Sequence, residues 1–397
     1  MERRELVFMD AKSSKFWNIE LNGSSHTVKY GRTGTDGQSK TKDFDSAADA
    51  KASFDKLIKQ KLGKGYSDAG KAASGDGALL PATAFVSVTK LGDLSENVKT
   101  FTGKRVVDYD AEKGAAAGGG TIYRFRSDWE NDTFHDDLQH FLDSEHALEA
   151  TGIVLGNWAG DDSETSSSGA IQRLVDSKAR LPSLRAIYLG DIISEENEMS
   201  WITQSDVSPL LDAFPELELL RVRGGNELSI AKPKHSKLRA LAIETGGLSS
   251  SIVRAVCTSD FPNLEHLELW LGTQEYGGDC SVQDLQPILS GELFPKLTYL
   301  GLRNCEFVDD IAGVVVNSPV VEKIEVLDLS LGVLTDTGAQ ALLSLPNEGK
   351  LKKVSIHHHF ATKPIIKKLK DLKVSIDTSN PSHMEEDDEW RFVAVGE

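Results

Sequence analysis

The chain has 397 residues, of which 39% are hydrophobic and 26% are charged. This length exceeds one ordinary domain of about 100 to 200 residues, so several modules or an array of repeats is expected. No apolar run approaches the roughly 20 residues that cross a bilayer, and the first residues lack the apolar core of a secretory signal. The composition therefore predicts a soluble, cytoplasmic protein with no membrane partner and excludes a wholly disordered chain.

Charge is distributed unevenly along the chain. Residues 1–64 contain thirteen Lys or Arg and nine Asp or Glu, whereas the remainder contains 31 and 52, within a total net charge of −17. An acidic bulk repels nucleic acid, but a small basic head could still engage a phosphate backbone. The three cysteines lack the density of a disulfide scaffold and any C-x-x-C pair, so reduced thiols are expected.

The first 66 residues predict a small sheet with one packed helix. Apolar residues alternate with polar ones in two short strands, which an Asn22-Gly23 turn separates. Ser46 begins the helix, with Asp49 three residues later in a variant of the capping box, and Gly63 ends it. The apolar residues that mark the strands and one helix face are Trp17, Ile19, Leu21, Val28, Tyr30, Phe54, Leu57, Ile58 and Leu62.

Residues 67–82 have the composition of a flexible linker, because Gly, Ala, Ser and Asp dominate them. Residues 65–71 have the glycine spacing of a P-loop, but Ala72 stands where a Ser or Thr ligand of Mg²⁺ is needed. No nucleotide site is therefore predicted. A second glycine cluster, residues 114–120, separates two strand-like segments and predicts a hairpin with a long loop.

Beyond residue 149 the pattern L-x-x-L-x-L recurs in degenerate form. Helix-like stretches lie between the copies, and a proline often stands just before the strand, where it ends the helix. A weaker copy, Ala150/Ile153/Leu155, precedes the others. The full copies are Leu184/Ile187/Leu189, Leu217/Leu220/Val222, Leu238/Leu241/Ile243, Leu264/Leu267/Leu269, Leu297/Leu300/Leu302, Ile324/Leu327/Leu329 and Leu351/Val354/Ile356.

Residues 150–383 resemble an array of leucine-rich repeats. Leu297 to Cys305 fits L-x-x-L-x-L-x-x-C in full, and residues 334–342 resemble the helical half of ribonuclease-inhibitor-like repeats. The resemblance implies an α/β horseshoe with parallel strands inside and helices outside, and residues 83–149 would be its N-terminal cap. Residues 384–397 are predicted to be an acidic C-terminal tail or a capping strand.

Residues 1–66 resemble a WGR domain, a module named for Trp-Gly-Arg and found in poly(ADP-ribose) polymerases and in bacterial proteins. The matching run is 30–38, in which Tyr30 stands where the family has tryptophan. In DNA-binding members the aromatic packs on a sugar at a strand end and the arginine reaches the backbone. The candidate contact residues, for nucleic acid or another partner, are Tyr30, Arg32, Lys29 and Lys40; the alternative is a structural role in the sheet.

In each repeat strand the leucines face the core and the residues between them face the inner surface of the horseshoe. Aromatic and Arg side chains, which are enriched at binding hot spots, recur there. The sequence therefore predicts a protein partner on this surface, and it predicts that Trp270→Ala leaves the fold intact. The candidate residues are Tyr188, Arg221, Arg223, His266, Trp270, Tyr299 and Arg303.

The sequence indicates no cofactor, no metal site and no catalytic residues. His357, His358 and His359 are adjacent, but alternation along a strand sends the middle one to the opposite face, so they do not converge as metal ligands. The function we expect is a non-enzymatic bacterial adaptor of two modules, a WGR-like head and a protein-binding leucine-rich-repeat surface. The alternative is a nucleic-acid-binding regulator that acts through the head, and an enzyme with an unfamiliar site is less favoured.

Overall fold

The computed structural model of this chain describes residues 2–10, 13–32, 37–62, 66–68, 80, 85, 95–115, 121–128, 132–160, 162, 164–231, 233–346, 348–383 and 390–396. Two sheets organise these residues, a small antiparallel sheet at the N-terminus and a large, mostly parallel one. The protein therefore has a mixed α/β fold. Apart from residues 67, 68 and 80, the predicted linker lies outside the described residues.

The small sheet has five described strands and packs against one helix. The predicted helix start is confirmed, because the Asp49 N–H donates to Ser46 Oγ at 3.1 Å. Buried Trp17 and Phe54 join the sheet and the helix in one core. The elements are β1 (Glu2–Asp10), β2 (Ser13–Asn22), β3 (Ser25–Arg32), β4 (Gln38–Asp43), α1 (Ala47–Leu62) and β5 (Ser67–Asp68). The strand order in this sheet is β4-β3-β2-β1-β5. Since β5 pairs with β1, the head extends beyond residue 66.

In the large sheet the strands follow one another in chain order, and all described pairs after β7 are parallel. The strands are β6 (Thr100–Phe101), β7 (Lys104–Asp108), β8 (Thr121–Phe125), β9 (Gly152–Leu155), β10 (Ala186–Leu189), β11 (Leu219–Arg223), β12 (Ala240–Glu244), β13 (His266–Gly272), β14 (Tyr299–Cys305), β15 (Val326–Asp328), β16 (Lys353–Ser355) and β17 (Ser375–Asp377). The predicted repeat strands coincide with β9 to β16.

One prediction about the ends of this sheet is wrong, and one of two predicted alternatives is removed. The predicted hairpin is in fact a parallel pair, with Arg105 of β7 opposite Thr121 of β8. Side chains alternate in the same way in parallel and antiparallel strands, so the pattern does not distinguish them. For residues 384–397 the prediction is an acidic tail or a capping strand. The capping strand is not formed, because residues 390–396 contain no strand and β17 is the last strand of the described sheet, whereas residues 384–389 lie outside the described residues.

Helices lie between the strands and cover one face of the large sheet. They are α2 (Phe134–Asp143), α3 (Ser168–Asp176), α4 (Ser208–Ala213), α5 (Ser250–Cys257), α6 (Gln286–Leu289), α7 (Val308–Val315), α8 (Asp336–Leu342) and α9 (Lys363–Leu369). In the described part of the chain, none of the helices combines the length and apolarity that a membrane crossing requires.

The two faces of the large sheet differ in chemistry, as the alternation of the repeat strands predicts. Leu241 and Ile243 of β12 join a continuous apolar core with Val253 of α5. Ala240 and Glu244, from the same strand, lie on the other face. We call this second face, which carries Arg221, Arg223, Glu244, His266, Glu268, Trp270, Tyr299 and Arg303, the polar face.

Candidate functional site

The predicted contact residues of the head lie where β3 meets the edge strand β4. Tyr30 pairs with Trp17 of β2 on one side and with Gln38 of β4 on the other. Its hydroxyl donates to Gln38 Oε1 at 3.3 Å, while its half-buried ring packs against the core of the head. Arg32 ends β3 opposite Lys15, and its side chain lies outside the described part of the structure.

Lys40 shares a face with Tyr30, but Lys29 does not. Lys40 pairs with Val28, two residues before Tyr30, and alternate residues of a strand project from the same face. Lys29 pairs with Ser39 and therefore projects from the opposite face. Both lysines are exposed, and neither forms an ion pair with another described residue. The structure thus brings two of the four predicted head residues together.

A further cation of the head was not singled out by the sequence analysis. Lys61 Nζ, near the end of α1, lies 5.4 Å from the ring centroid of Trp17 and 4.6 Å from that of Tyr66. A cation at this distance from a ring face is attracted by the π electrons. The contact joins the helix to the sheet, and no local pattern signals it because Lys61 and Trp17 are far apart in the chain.

On the polar face, three of the predicted residues surround Glu244. Arg221 Nε donates to Glu244 Oε1 at 2.8 Å, and Arg223 Nε donates to Oε2 at 2.9 Å. The guanidinium carbon of Arg221 lies 4.2 Å from the ring centroid of Tyr188. Burial raises the pKa of Tyr188, so this phenol stays neutral. The cluster is a buried ion pair network under an aromatic ring.

The other four predicted residues surround Glu268. Trp270 Nε1 donates to Glu268 Oε1 at 2.7 Å, and Arg303 Nη1 donates to the same oxygen at 2.6 Å. His266 lies 3.3 Å from Oε2 and stacks on Tyr299, with 4.0 Å between ring centroids. Burial by itself would raise the pKa of Glu268, but Arg303 and the hydrogen bonds from His266 and Trp270 outweigh it and lower that pKa. Glu268 is therefore an ionised carboxylate that these contacts fix in place.

Both acids at the centres of these clusters were missed as site residues. Glu244 and Glu268 occupy polar-face positions of their strands, and both are fully buried. A carboxylate at an alternating strand position beside Arg or Trp was the signal that could have identified them.

Two segments distant in sequence cover the polar face. The Leu80 N–H donates to Glu218 Oε2 at 2.7 Å, and the ring centroid of Phe85 lies 5.1 Å from the guanidinium carbon of Arg239. Near the C-terminus, Val395 packs in one cluster with Trp270. These contacts remove a large part of the polar face from solvent.

The seven residues predicted to contact a partner therefore share one face of the large sheet, but their side chains are not exposed as predicted. Trp270 is 0% exposed and Arg303 is 1% exposed, and Tyr188, Arg221, Arg223 and His266 are also buried. Only Tyr299, among the seven, is partly exposed. This burial contradicts the expectation that Trp270→Ala leaves the fold intact, because strand alternation assigns a face and says nothing of what covers it.

The three adjacent histidines each have a local partner. His357 Nδ1 lies 2.9 Å from Ser379 Oγ, and His358 Nδ1 lies 3.0 Å from Ser382 Oγ. Burial lowers the pKa of His357, His358 and His359. Within the described ranges, no three His, Cys, Asp or Glu side chains converge in a way that could hold a metal ion.

Comparison with known proteins identifies the head. Residues 2–73 match the WGR domain family. The chain is 40% identical over 93 residues to Protein YehF of Escherichia coli (strain K12), a match covering 23% of this chain and 32% of that protein. It is 38% identical over 66 residues to the Uncharacterized protein YfeS of the same strain, covering 17% and 27%. The chain thus spans under a third of the length of either relative.

A solved structure resembles this chain over its whole length. It is the crystal structure of a Bacteroides fragilis protein, determined as a structural genomics target. The two chains are 30% identical, with a TM-score of 0.66, and the match covers 100% of this chain and 99% of that one. The protein described here therefore belongs to the same family as the Bacteroides fragilis protein, and its N-terminal module is a WGR domain.

Proposed function

We propose that this protein is a non-enzymatic interaction protein of two modules, in which the WGR domain contacts nucleic acid and the large sheet holds a protein partner. The observation that carries the nucleic-acid role is the edge formed by Tyr30, Gln38 and Lys40. It combines an aromatic ring, a side-chain amide and an exposed cation with no ion partner among the described residues.

These three groups match the parts of a nucleotide. An aromatic ring offers a platform to a base or a sugar, and a lysine neutralises a phosphate as a mobile point charge. All six residues of β4 are exposed, so a backbone lying along the edge strand would meet Lys40 and Lys42 in turn. The small cationic surplus of the head predicts modest affinity with a shallow salt dependence.

Fluorescence anisotropy of the full chain with nicked, blunt and single-stranded DNA tests this role. We expect Tyr30→Ala and Lys40→Gln to weaken binding, because one removes stacking and the other removes a phosphate contact. Lys29→Gln is the matched control, since it removes the same charge from the opposite face of the same sheet. Absence of binding by the unaltered chain at low salt, or equal losses in all three variants, would contradict the proposal.

The second half of the proposal concerns the large sheet, which we assign as a leucine-rich-repeat array that binds protein. Its support is the repeated leucine pattern on strands that follow one another in parallel. A specific observation favours a protein partner: Trp201, Trp390 and Phe392 expose 59%, 71% and 64% of their surface. Exposed large aromatics are typical of interaction sites.

Capture from native lysate tests the protein-binding role. The full chain is used as bait, with and without nuclease, so that partners bridged by nucleic acid are removed. We expect a nuclease-resistant partner that is lost when Trp201, Trp390 and Phe392 are replaced together by serine. Capture that depends entirely on nucleic acid would restrict the protein to the role of its WGR domain.

The buried acids support a non-enzymatic role. Glu244 and Glu268 each accept hydrogen bonds from an arginine, so both serve as fixed counter-ions within the fold. The contacts of Glu268 also lower the pKa of its carboxyl group, which makes this carboxylate a weak general base.

A further inference from the structure

The last described residues of the chain cross the ends of several strands of the large sheet. The Phe392 carbonyl lies 3.5 Å from His358 Nε2, just beyond β16. The Ala394 N–H donates to the Leu331 carbonyl, beyond β15, at 2.8 Å. Residues 392–396, which we call the C-terminal segment, therefore run across the carboxyl edge of the sheet. Each of these contacts uses the segment's backbone.

Asn304, near the end of β14, makes the central contact with this segment. Its Nδ2 donates to the Val395 carbonyl at 2.5 Å, and its Oδ1 accepts from the Val395 N–H at 3.0 Å. A side-chain amide that serves both backbone groups of one residue reproduces the pairing of a neighbouring strand. Asn304 is fully buried, so the two bonds are made away from water.

The site also selects side chains. Val395 packs with Met199, Trp270 and Leu331 in a small apolar cluster. Gly396 follows, and its carbonyl accepts from Ser200 Oγ at 2.6 Å. The sequence Val-Gly is thus held by an apolar pocket followed by a polar contact.

Glycines on both sides of the contact leave room for the backbone. A Cβ added at Gly396 would lie 2.9 Å from Tyr276 Cε2, and one added at Gly246 would lie 2.3 Å from the Gly396 carbonyl oxygen. A larger residue at either position would displace the segment from the strand ends.

We propose that these strand ends form a binding site for an extended peptide with a Val-Gly pair, presented by a partner protein, and that the C-terminal segment occupies this site in the free chain. The inference rests on the proposed protein-binding role of the large sheet and names the chemistry that the partner presents. Recognition uses backbone hydrogen bonds for affinity and the valine pocket for specificity.

Residue 382 and the C-terminal segment meet at the same histidine. Ser382 Oγ lies 3.0 Å from His358 Nδ1, and the Phe392 carbonyl oxygen lies 3.5 Å from Nε2 of the same ring. His358 therefore contacts both Ser382 and the first residue of the segment. Because the segment belongs to the same chain as the site, its effective concentration there is high, on the order of millimolar. A partner peptide therefore competes poorly in the unaltered chain and well once the segment is released. The side chains of Trp390 and Phe392 stay exposed while the segment occupies the site.

The test is a fluorescence anisotropy titration of a labelled peptide of residues 390–397 into full-length protein. Val395→Asp in the protein places a charge in the apolar cluster and releases the internal segment without touching the site. We expect this variant to bind the peptide at least about tenfold more tightly than the unaltered chain. Adding Asn304→Ala to the same variant should weaken binding about tenfold or more, because both backbone bonds are lost.

Peptide variants keep the test independent of protein folding. A peptide with Gly396→Val should fail to bind, since the added side chain meets Tyr276. A peptide with Phe392→Ala is the matched control and should bind like the parent, because the Phe392 side chain is 64% exposed.

The inference is overturned if the Val395→Asp protein, with an unchanged circular dichroism spectrum, binds neither the parent peptide nor the Phe392→Ala peptide, or if it binds all three peptides equally. A concentration-dependent dimer of the unaltered chain, dissociated by the peptide, would assign the site to a second copy and overturn the partner assignment. If the peptide titration fails but the chain still captures a nuclease-resistant partner from lysate, only this inference is rejected. If that capture is absent as well, the protein-binding role itself is rejected.

Discussion

Arg303 and Glu268 form a buried ion pair between neighbouring strands, with 2.6 Å between Nη1 and Oε1. Neither side chain is more than 1% exposed. The pair lies beside Trp270, whose indole N–H donates to the same carboxylate oxygen and whose ring packs in one cluster with Val395 of the C-terminal segment. The charged groups at the centre of the polar face therefore pair with one another. Removing Arg303 or Glu268 leaves its partner buried without that counter-ion.

We expect Arg303→Met to reduce the free energy of unfolding by about 3 to 5 kcal/mol, because it leaves the Glu268 carboxylate buried without its counter-ion. Urea unfolding followed by circular dichroism measures the effect. The matched control is Arg254→Met, whose arginine pairs with Asp284 at 3.0 Å but is 64% exposed, and it should cost less than about 1 kcal/mol. Equal losses of unfolding free energy in the two variants would show that burial does not determine how much each ion pair contributes to stability.

Stability should fall in acid because of Glu268. Its pKa is lowered in the folded state relative to the ordinary value of 4.5, so the stabilisation is fully present above that value and is lost as the pH falls below it. Urea midpoints measured between pH 7 and pH 3 should decrease for the unaltered chain. Glu268→Gln should be less stable at pH 7 and should show a smaller decrease, and an unchanged pH slope would exclude Glu268 as a cause.

Trp270→Ala should destabilise the protein by about 3 to 5 kcal/mol, because it removes a fully buried indole and leaves a cavity. Thermal unfolding followed by circular dichroism gives the comparison. Trp201→Ala is the control, since this tryptophan is 59% exposed, and it should change stability by no more than about 0.5 kcal/mol. A Trp270→Ala protein with an unchanged melting temperature would contradict the described packing.

The salt dependence of DNA binding should identify the face of the WGR domain that meets phosphate. Loss of one phosphate contact reduces the slope of log affinity against log salt concentration by about one. We expect this reduction for Lys40→Gln and no reduction for Lys29→Gln, which projects from the opposite face. Anisotropy titrations between low and physiological salt would provide both slopes, and a reduced slope for Lys29→Gln alone would place the DNA on the other face.

The elements of this protein were largely encoded in local patterns. Ser46 and Asp49 marked the start of α1, and the leucine pattern located the strands β9 to β16 together with the face that each residue occupies. Both signals depend on residues close in the chain, because capping spans one helical turn and strand alternation has a period of two. The WGR domain likewise follows from one short run of residues.

The tertiary structure decided which side chains of the polar face are buried. Leu80 contacts Glu218 across 138 residues, and Val395 contacts Asn304 across 91 residues. Local periodicity carries no information about such pairs, so Trp270 was assigned to the correct face but expected in solvent. The parallel pairing of β7 and β8 could not be predicted from the pattern either, since side chains alternate identically in parallel and antiparallel strands. The sequence by itself determined the strands and their faces, and only the packing of distant segments decided which side chains are buried.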